Sequence, residues 1–397
     1  MLVKAQTLHR WLVICLSLWA LSACVQAPKA PSQPAEVKPV VPRPTLNHYP
    51  EFGPPQTFIT ADQLFQLSQK HQEAFRKSFW SAKNESLPKN RRVANYLDNV
   101  AQHFNYHGET YTANEALDKL QGNCLSLAIV TTALAKVAGI NANYELVKTP
   151  PVYQKKGDVI LTSSHVRTVL YDPDYQAPEN HFIISKPSVV IDYFPSARTY
   201  SAGRVKPHEF MAMYFNNKAA GAIIDKDYAR AYWLLKHSLN ISQDNAQAMN
   251  MLAIVYGRTG HPEEAEAIYV YGIEHFKRKL ELLSNYHGLL TAQNRTAEAD
   301  TIKQKILAIG EPDPFQWLEL AQDAYRRDQI SDAIRYYKKV IELAPYLHQG
   351  YVGLAVSEFE RGQIRRAKSL MKQALEVTYD AETKALYKAK LTALSQF

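Results

Sequence analysis

The sequence predicts an α+β domain followed by an all-α superhelix, both held behind an N-terminal address and a proline-rich tether. Three observations predict it. A single apolar helix followed by strand-like stretches occupies residues 124–193, a 34-residue period runs through residues 212–381, and a short apolar run and a proline cluster precede residue 58. The 397 residues are enough for two or three domains with cores of their own. With 46% hydrophobic and 21% charged residues, the chain is not disordered throughout, collagenous or a polytopic membrane protein.

The address comes first. Lys4, His9 and Arg10 precede an apolar run from Trp11 to Leu21. That run is too short to span a bilayer, and its order of basic, apolar and small residues is that of a secretory signal. It ends Leu21-Ser22-Ala23-Cys24, which resembles a bacterial lipobox. The resemblance implies a signal peptide over residues 1–23, cleavage before Cys24, and lipidation of Cys24. It also implies attachment to the membrane through that lipid anchor. Val25, where inner-membrane retention has Asp, favours the outer membrane by the same resemblance, facing the periplasm. Residues 24–57 then read as a linker, because nine prolines lie between Pro28 and Pro55. Such a stretch is expected to be extended and to act as a semi-rigid spacer.

Residues 58–210 form the expected α+β domain. Thr60 can cap a helix carrying Leu64, Leu67, Phe75 and Phe79, and Pro88 opens another with Val93, Tyr96, Leu97, Val100 and Phe104 on one face. Thr112 and Glu115 have capping-box spacing. An apolar helix starts at Cys124 and stops at Gly139. Strands are expected over 142–148, 158–170 and 182–193.

Cys124 is the one cysteine left free once Cys15 departs with the signal and Cys24 is lipidated. At a helix start the dipole is expected to lower its pKa and favour thiolate. A small buried hydrophobe is the alternative reading of the same residue. A catalytic thiolate needs a base and a group to orient it. His165 lies in the strand Ser163–Leu170, with Arg167 and Val169 on its face, and Asp192 closes the apolar run Val189-Val190-Ile191. His181 is a rival base, demoted by the polar 172–180 stretch before it. Cys on a helix, His on one strand and Asp on the next resembles the transglutaminase-like fold, a papain-like Cys-His-Asp arrangement. Gly122-Asn123-Cys124-Leu125-Ser126, Ala138-Gly139-Ile140-Asn141-Ala142 and Gly157-Asp158 carry that resemblance over about residues 60–205. It implies Cys124 as nucleophile, His165 as general base and acid, and Asp192 as orienter.

Residues 211–397 repeat. Five units start at Ala212, Ala246, Leu280, Pro314 and His348. Their twentieth residues are Ala231, Ala265, Ala299, Ala333 and Ala367, and their eighth are Ala219, Ala253, His287, Ala321 and Ala355. Small residues there let two helices approach closely. The period and pattern, best in Trp317, Leu320, Ala321, Ala333, Tyr337 and Pro345, resemble the tetratricopeptide repeat. Lys218 and His287 depart from it. A final capping helix is expected with Ala385, Leu386, Ala389 and Leu391 inward. The resemblance implies a groove for a protein or peptide ligand; a buttress for the neighbouring domain is the other reading.

The formal charge of +8 comes without a Lys/Arg block, so it marks a mildly basic surface and not a nucleic-acid site. His103 and His107 have i, i+4 spacing but no further ligand, and no phosphate loop or dinucleotide motif is present, so neither metal nor cofactor is expected. Two functions follow. One is a membrane-anchored cysteine enzyme acting on amide bonds, a peptidase or amidase before a cross-linker. The other is a non-catalytic envelope scaffold built from a degenerate transglutaminase-like domain and repeats.

Overall fold

The computed structural model describes the backbone of residues 41–106, 108–156, 159–176, 186–193, 200–277, 279–309, 314–378 and 381–394, and the side chains of the same residues except 148–165, 200, 307 and 381. The expected signal peptide, Cys24 and the first half of the tether, through residue 40, lie outside the described residues. No helix among the described residues is long and apolar enough to cross a membrane. Residues 43–397 form one unit.

Two short helices open the α+β part, α1 (Ala61–Phe65) and α2 (Gln69–Phe79). The single helix expected after Thr60 is therefore broken. Ser68 caps α2 by accepting from the His71 N–H, while the Ser68 N–H donates to Asn114 Oδ1 at 2.9 Å, so the backbone is taken out of helical pairing there. The break lets Leu64, Leu67 and Phe75 all enter the core. Helix α3 (Lys89–Ala101) follows Pro88. Strand β1 (Asn105–Tyr106) pairs in parallel with β2 (Gln121–Gly122), on either side of α4 (Ala113–Lys119) with its Thr112–Glu115 capping box. Helix α5 (Cys124–Val137) is buried from Leu125 through Ala135, as a helix apolar all round its circumference must be. It stops at Gly139, whose φ of +71° suits only glycine comfortably.

Against α5 lies an antiparallel sheet of β3 (Ala142–Lys156), β4 (Val159–Tyr171), β5 (Ser188–Ile191) and β6 (Tyr200–Val205), in the order β5-β4-β3-β6. Val166, Thr168 and Leu170 of β4 are buried. The first strand outruns its expected end at 148, because β3 and β4 pair as one long hairpin with an irregularity between Val147 and Val152. The apolar run Val189-Val190-Ile191 in the third expected strand reads as one that both faces would bury. Among the described residues it is a four-residue edge strand with Val190 45% exposed, since only β4 flanks it. Strand β6 has no apolar alternation (Tyr-Ser-Ala-Gly-Arg-Val) and is visible only through its pairing with β3.

The repeats follow as helix pairs: α6 (Pro207–Ile224) with α7 (Tyr228–Ile241), α8 (Ala246–Arg258) with α9 (Pro262–His275), α10 (Leu280–Ala292) with α11 (Thr296–Ala308), α12 (Pro314–Arg326) with α13 (Ile330–Leu343), and α14 (His348–Glu360) with α15 (Ile364–Glu376). All five alanines at the twentieth position are buried. The two departures from the pattern have different outcomes. Asn217 donates to Thr110 Oγ1 (3.1 Å) and Lys218 to the Thr110 carbonyl (3.5 Å), so α6 uses its polar positions to hold the α+β part. His287 is half-buried, and near it the apolar core divides: one cluster ends at Ile306 and the next begins at Ala321, with Phe315 in a small cluster between them. A bulky ring at a close-approach position keeps neighbouring helices from interlocking as tightly there.

The capping helix α16 (Ala381–Leu394) is rotated from expectation. Tyr387 is buried and pairs with His348 Nδ1 at 2.6 Å, and Leu391 and Leu394 join the core, while Leu386 is 52% exposed. An aromatic ring with a partner for its hydroxyl buries more apolar surface than Ala385 and Ala389 together with one leucine tip.

The linker also ends earlier than position 57. From residue 43 the chain lies across α7–α9. Tyr232 and Tyr256 both donate to the Asn47 carbonyl (2.9 and 2.5 Å), Trp233 Nε1 to the Phe52 carbonyl (2.7 Å) and Lys236 to that of Leu46 (3.1 Å). Phe52 is 1% exposed and stacks on Tyr232 with centroids 4.1 Å apart, and Tyr49 stacks on His261 at 3.5 Å. Aromatic side chains interleaved with the prolines supply the anchors that proline content alone conceals. Phe52→Ala is expected to lower stability by about 3 kcal/mol, measured as a shift in the urea midpoint. An unchanged midpoint means the segment is not part of the folded unit.

Candidate functional site

The site grows from the turn before α5. Gly122 has φ +146°, and a Cβ there would sit 2.6 Å from Ser126 Oγ, so only glycine lets β2 turn directly into the helix. Asn123 is the N-cap. Its Oδ1 accepts from the Ser126 N–H (3.0 Å) and the Ser126 hydroxyl (3.2 Å), and its Nδ2 donates to Thr110 Oγ1 at 2.6 Å. Ser126 Oγ in turn accepts from the Tyr111 N–H at 3.0 Å. Cys124 is thus the first residue of a rigidly capped helix.

The expected thiolate is not what this environment favours. Burial pushes the Cys124 thiol up to about 11, from an ordinary 9.0. The N–H groups of Leu125 and of Cys124 itself pull it down, and the Asp192 carboxylate pushes it further up. Desolvation is the largest effect on the sulfur and outweighs the backbone N–H groups at the helix start, although Cys124 as a residue is only half-buried.

Of the three residues implied by the resemblance, the structure brings two into one neighbourhood. Asp192 follows directly on β5, close enough for its charge to act on Cys124. Its position is set by Tyr193, whose hydroxyl bonds to the hydroxyls of Thr131 in α5 (2.6 Å) and Thr168 in β4 (2.9 Å). His165 lies in β4 opposite Val147 of β3, and its side chain, like all of His181, is outside the described residues. Arg167, two residues on, pairs with Glu145 across the same strands at 2.7 Å.

Two tyrosines complete the surroundings. Tyr106, 40% exposed, donates to the Tyr193 carbonyl at 3.3 Å, and burial together with the nearby Cys124 raises its pKa. Burial raises Tyr193 too. Tyr193 was findable as the neighbour of Asp192. Tyr106 carries no sequence signal, since it reaches the site only because β1 pairs with β2. Among the described residues no group of His, Cys, Asp and Glu has the arrangement to hold a metal.

Residues 245–270, spanning α8 and part of α9, match the tetratricopeptide repeat family. The chain contains tetratricopeptide repeats. Solved structures similar to it include PilF of Pseudomonas aeruginosa, 18% identical over 48% of this chain and 87% of that one, with a TM-score of 0.37. PilW, described as a widely conserved type IV pilus biogenesis factor, is 19% identical over 46% of this chain and 93% of its own, with a TM-score of 0.32. Yeast Tom70 is 12% identical over 89% of this chain and 67% of its own, with a TM-score of 0.45. No curated protein sequence matches the chain.

Gly122→Ala is expected to destabilise the fold by about 2 kcal/mol, read from chemical denaturation, because the new methyl strains the backbone and displaces Ser126. With its pKa near 11, Cys124 should alkylate with iodoacetamide about a hundred-fold more slowly than an ordinary thiol at neutral pH, the rate rising about ten-fold per pH unit. A fast, pH-independent reaction would mean a thiolate is present after all.

Proposed function

We propose that this protein is a scaffold of the bacterial cell envelope, anchored by lipid on Cys24, that binds a protein or peptide on its tetratricopeptide repeats. The observation that carries the reading is the run of five helix pairs from Pro207 to Glu376, one of them matched to the repeat family. Stacked pairs of this kind expose a long concave surface suited to extended ligands. Residues 58–210 act in it as a transglutaminase-like domain whose Cys124 stays protonated at neutral pH. The lipobox resemblance and Val25 support attachment at the outer membrane, facing the periplasm.

A second reading is favoured by one observation, the shared neighbourhood of Cys124 and Asp192 at a helix start. In it the protein is a thiol enzyme on amide bonds. Cys124 would attack the carbonyl, His165 would take the thiol proton and return it to the leaving amine, and Asp192 would orient His165. The raised thiol pKa then requires that substrate binding or His165 supply the thiolate.

One experiment separates them. The full chain and Cys124→Ala are each incubated with a peptide library digested from envelope proteins, and retained and released peptides are identified by mass spectrometry. The scaffold reading expects the same peptides retained intact by both proteins. New peptide termini or released ammonia with the unmutated chain alone would replace it with the enzyme reading. Retention by neither would leave the repeats as a buttress.

A further inference from the structure

A cavity of about 430 Å³ opens on the fourth helix pair, lined by Ser331, Ile334, Arg335, Lys338, Lys339, Glu342 and Arg361. It lies far along the chain from Cys124, and no motif in the sequence pointed to it. Five of its polar groups donate: the Ser331 hydroxyl, two guanidinium groups and two ammonium groups. Its one carboxylate, Glu342, is engaged by Lys339 at 2.7 Å. Arg335 is steadied from outside the cavity by Asp332 at 3.0 Å and by the Tyr336 hydroxyl at 3.1 Å. Lys338 and Arg361 have no ion pair among the described residues. Arg335 comes from α13 and Arg361 from the turn before α15, so the cations converge from separate elements.

We propose that this cavity binds a phosphate ester. A carboxylate presents two oxygens in one plane, whereas phosphorus holds its oxygens tetrahedrally, three of them charged or partly charged in a monoester and two in a diester with its ester oxygens beside them, so donors arriving from separate elements can each meet one. Ile334, a buried residue of the repeat core, supplies the apolar part of the lining. The size falls within the range of small-molecule sites. The ester has two sources, a phospholipid headgroup or a free metabolite-sized phosphate ester. The site also gives the chain's basic charge a place to act.

The test uses the full chain with Cys24→Ser, so that no acyl chain contributes. Flotation is measured with vesicles of phosphatidylcholine alone and of phosphatidylcholine mixed with phosphatidylglycerol, and titration calorimetry with glycerol phosphate. Binding to the mixed vesicles alone identifies a headgroup site, and binding of glycerol phosphate alone identifies a soluble ester; both together identify a site open to either. In each case Lys338→Gln with Arg361→Gln is expected to weaken binding by at least about ten-fold, and added salt to weaken it further. Lys388→Gln with Lys390→Gln, the same charge change on exposed positions of α16, is expected to leave it unchanged. The proposal is overturned if neither probe binds, if the cavity variant binds as the parent does, if both variants lose binding equally, or if polyglutamate binds where both phosphate probes fail.

Discussion

The stack of Phe210 on Tyr144 joins the two halves of this molecule. Phe210 is fully buried near the start of α6, and its ring lies 3.9 Å from that of Tyr144, nearly parallel to it. Helix α6 is the first helix of the repeats and also a wall of the α+β part, so it must satisfy both neighbours at once. Its polar residues Asn217 and Lys218 reach back to Thr110, and Thr110 holds Asn123, the cap of α5. One chain of contacts therefore runs from the repeats to the turn that carries Cys124.

That junction explains why the first repeat is the least regular. In a free-standing array, the seventh position fills an apolar gap against another helix. Here it meets the Thr110 carbonyl, to which a lysine can donate and a leucine cannot. The N-terminal segment adds a second constraint on the same repeats. Phe52, Tyr49 and the Asn47 carbonyl lie across α7–α9, where Tyr232, Trp233 and Tyr256 present donors and ring faces. The first two helix pairs are thus covered on one side by chain that precedes them by almost two hundred residues.

At Cys124, two effects of known sign compete. A helix terminus attracts negative charge, but its pull is local and small. Desolvation of the sulfur opposes charge more strongly, and Asp192 adds to that opposition. The same residues that resemble a catalytic arrangement hold the sulfur neutral, and the outcome turns on how far water is excluded, a property of the folded surroundings.

By itself the sequence determined the repeats, the capping box that opens α4, and the helix at Cys124 with its glycine stop. Each depends on spacing along the chain: five alanines 34 residues apart, Thr112 three residues before Glu115, Gly139 past the last helical turn. Helical periodicity and capping are local, so a one-dimensional reading captures them. Tertiary structure alone decided the rest. The break at Ser68 depends on Asn114, the inward face of α16 on His348 beneath Tyr387, strand β6 on its ladder with β3, and the packed segment at Phe52 on an aromatic floor provided far downstream. The protonation of Cys124 belongs to the same class, because desolvation is set by what packs around a group and not by what precedes it in the chain.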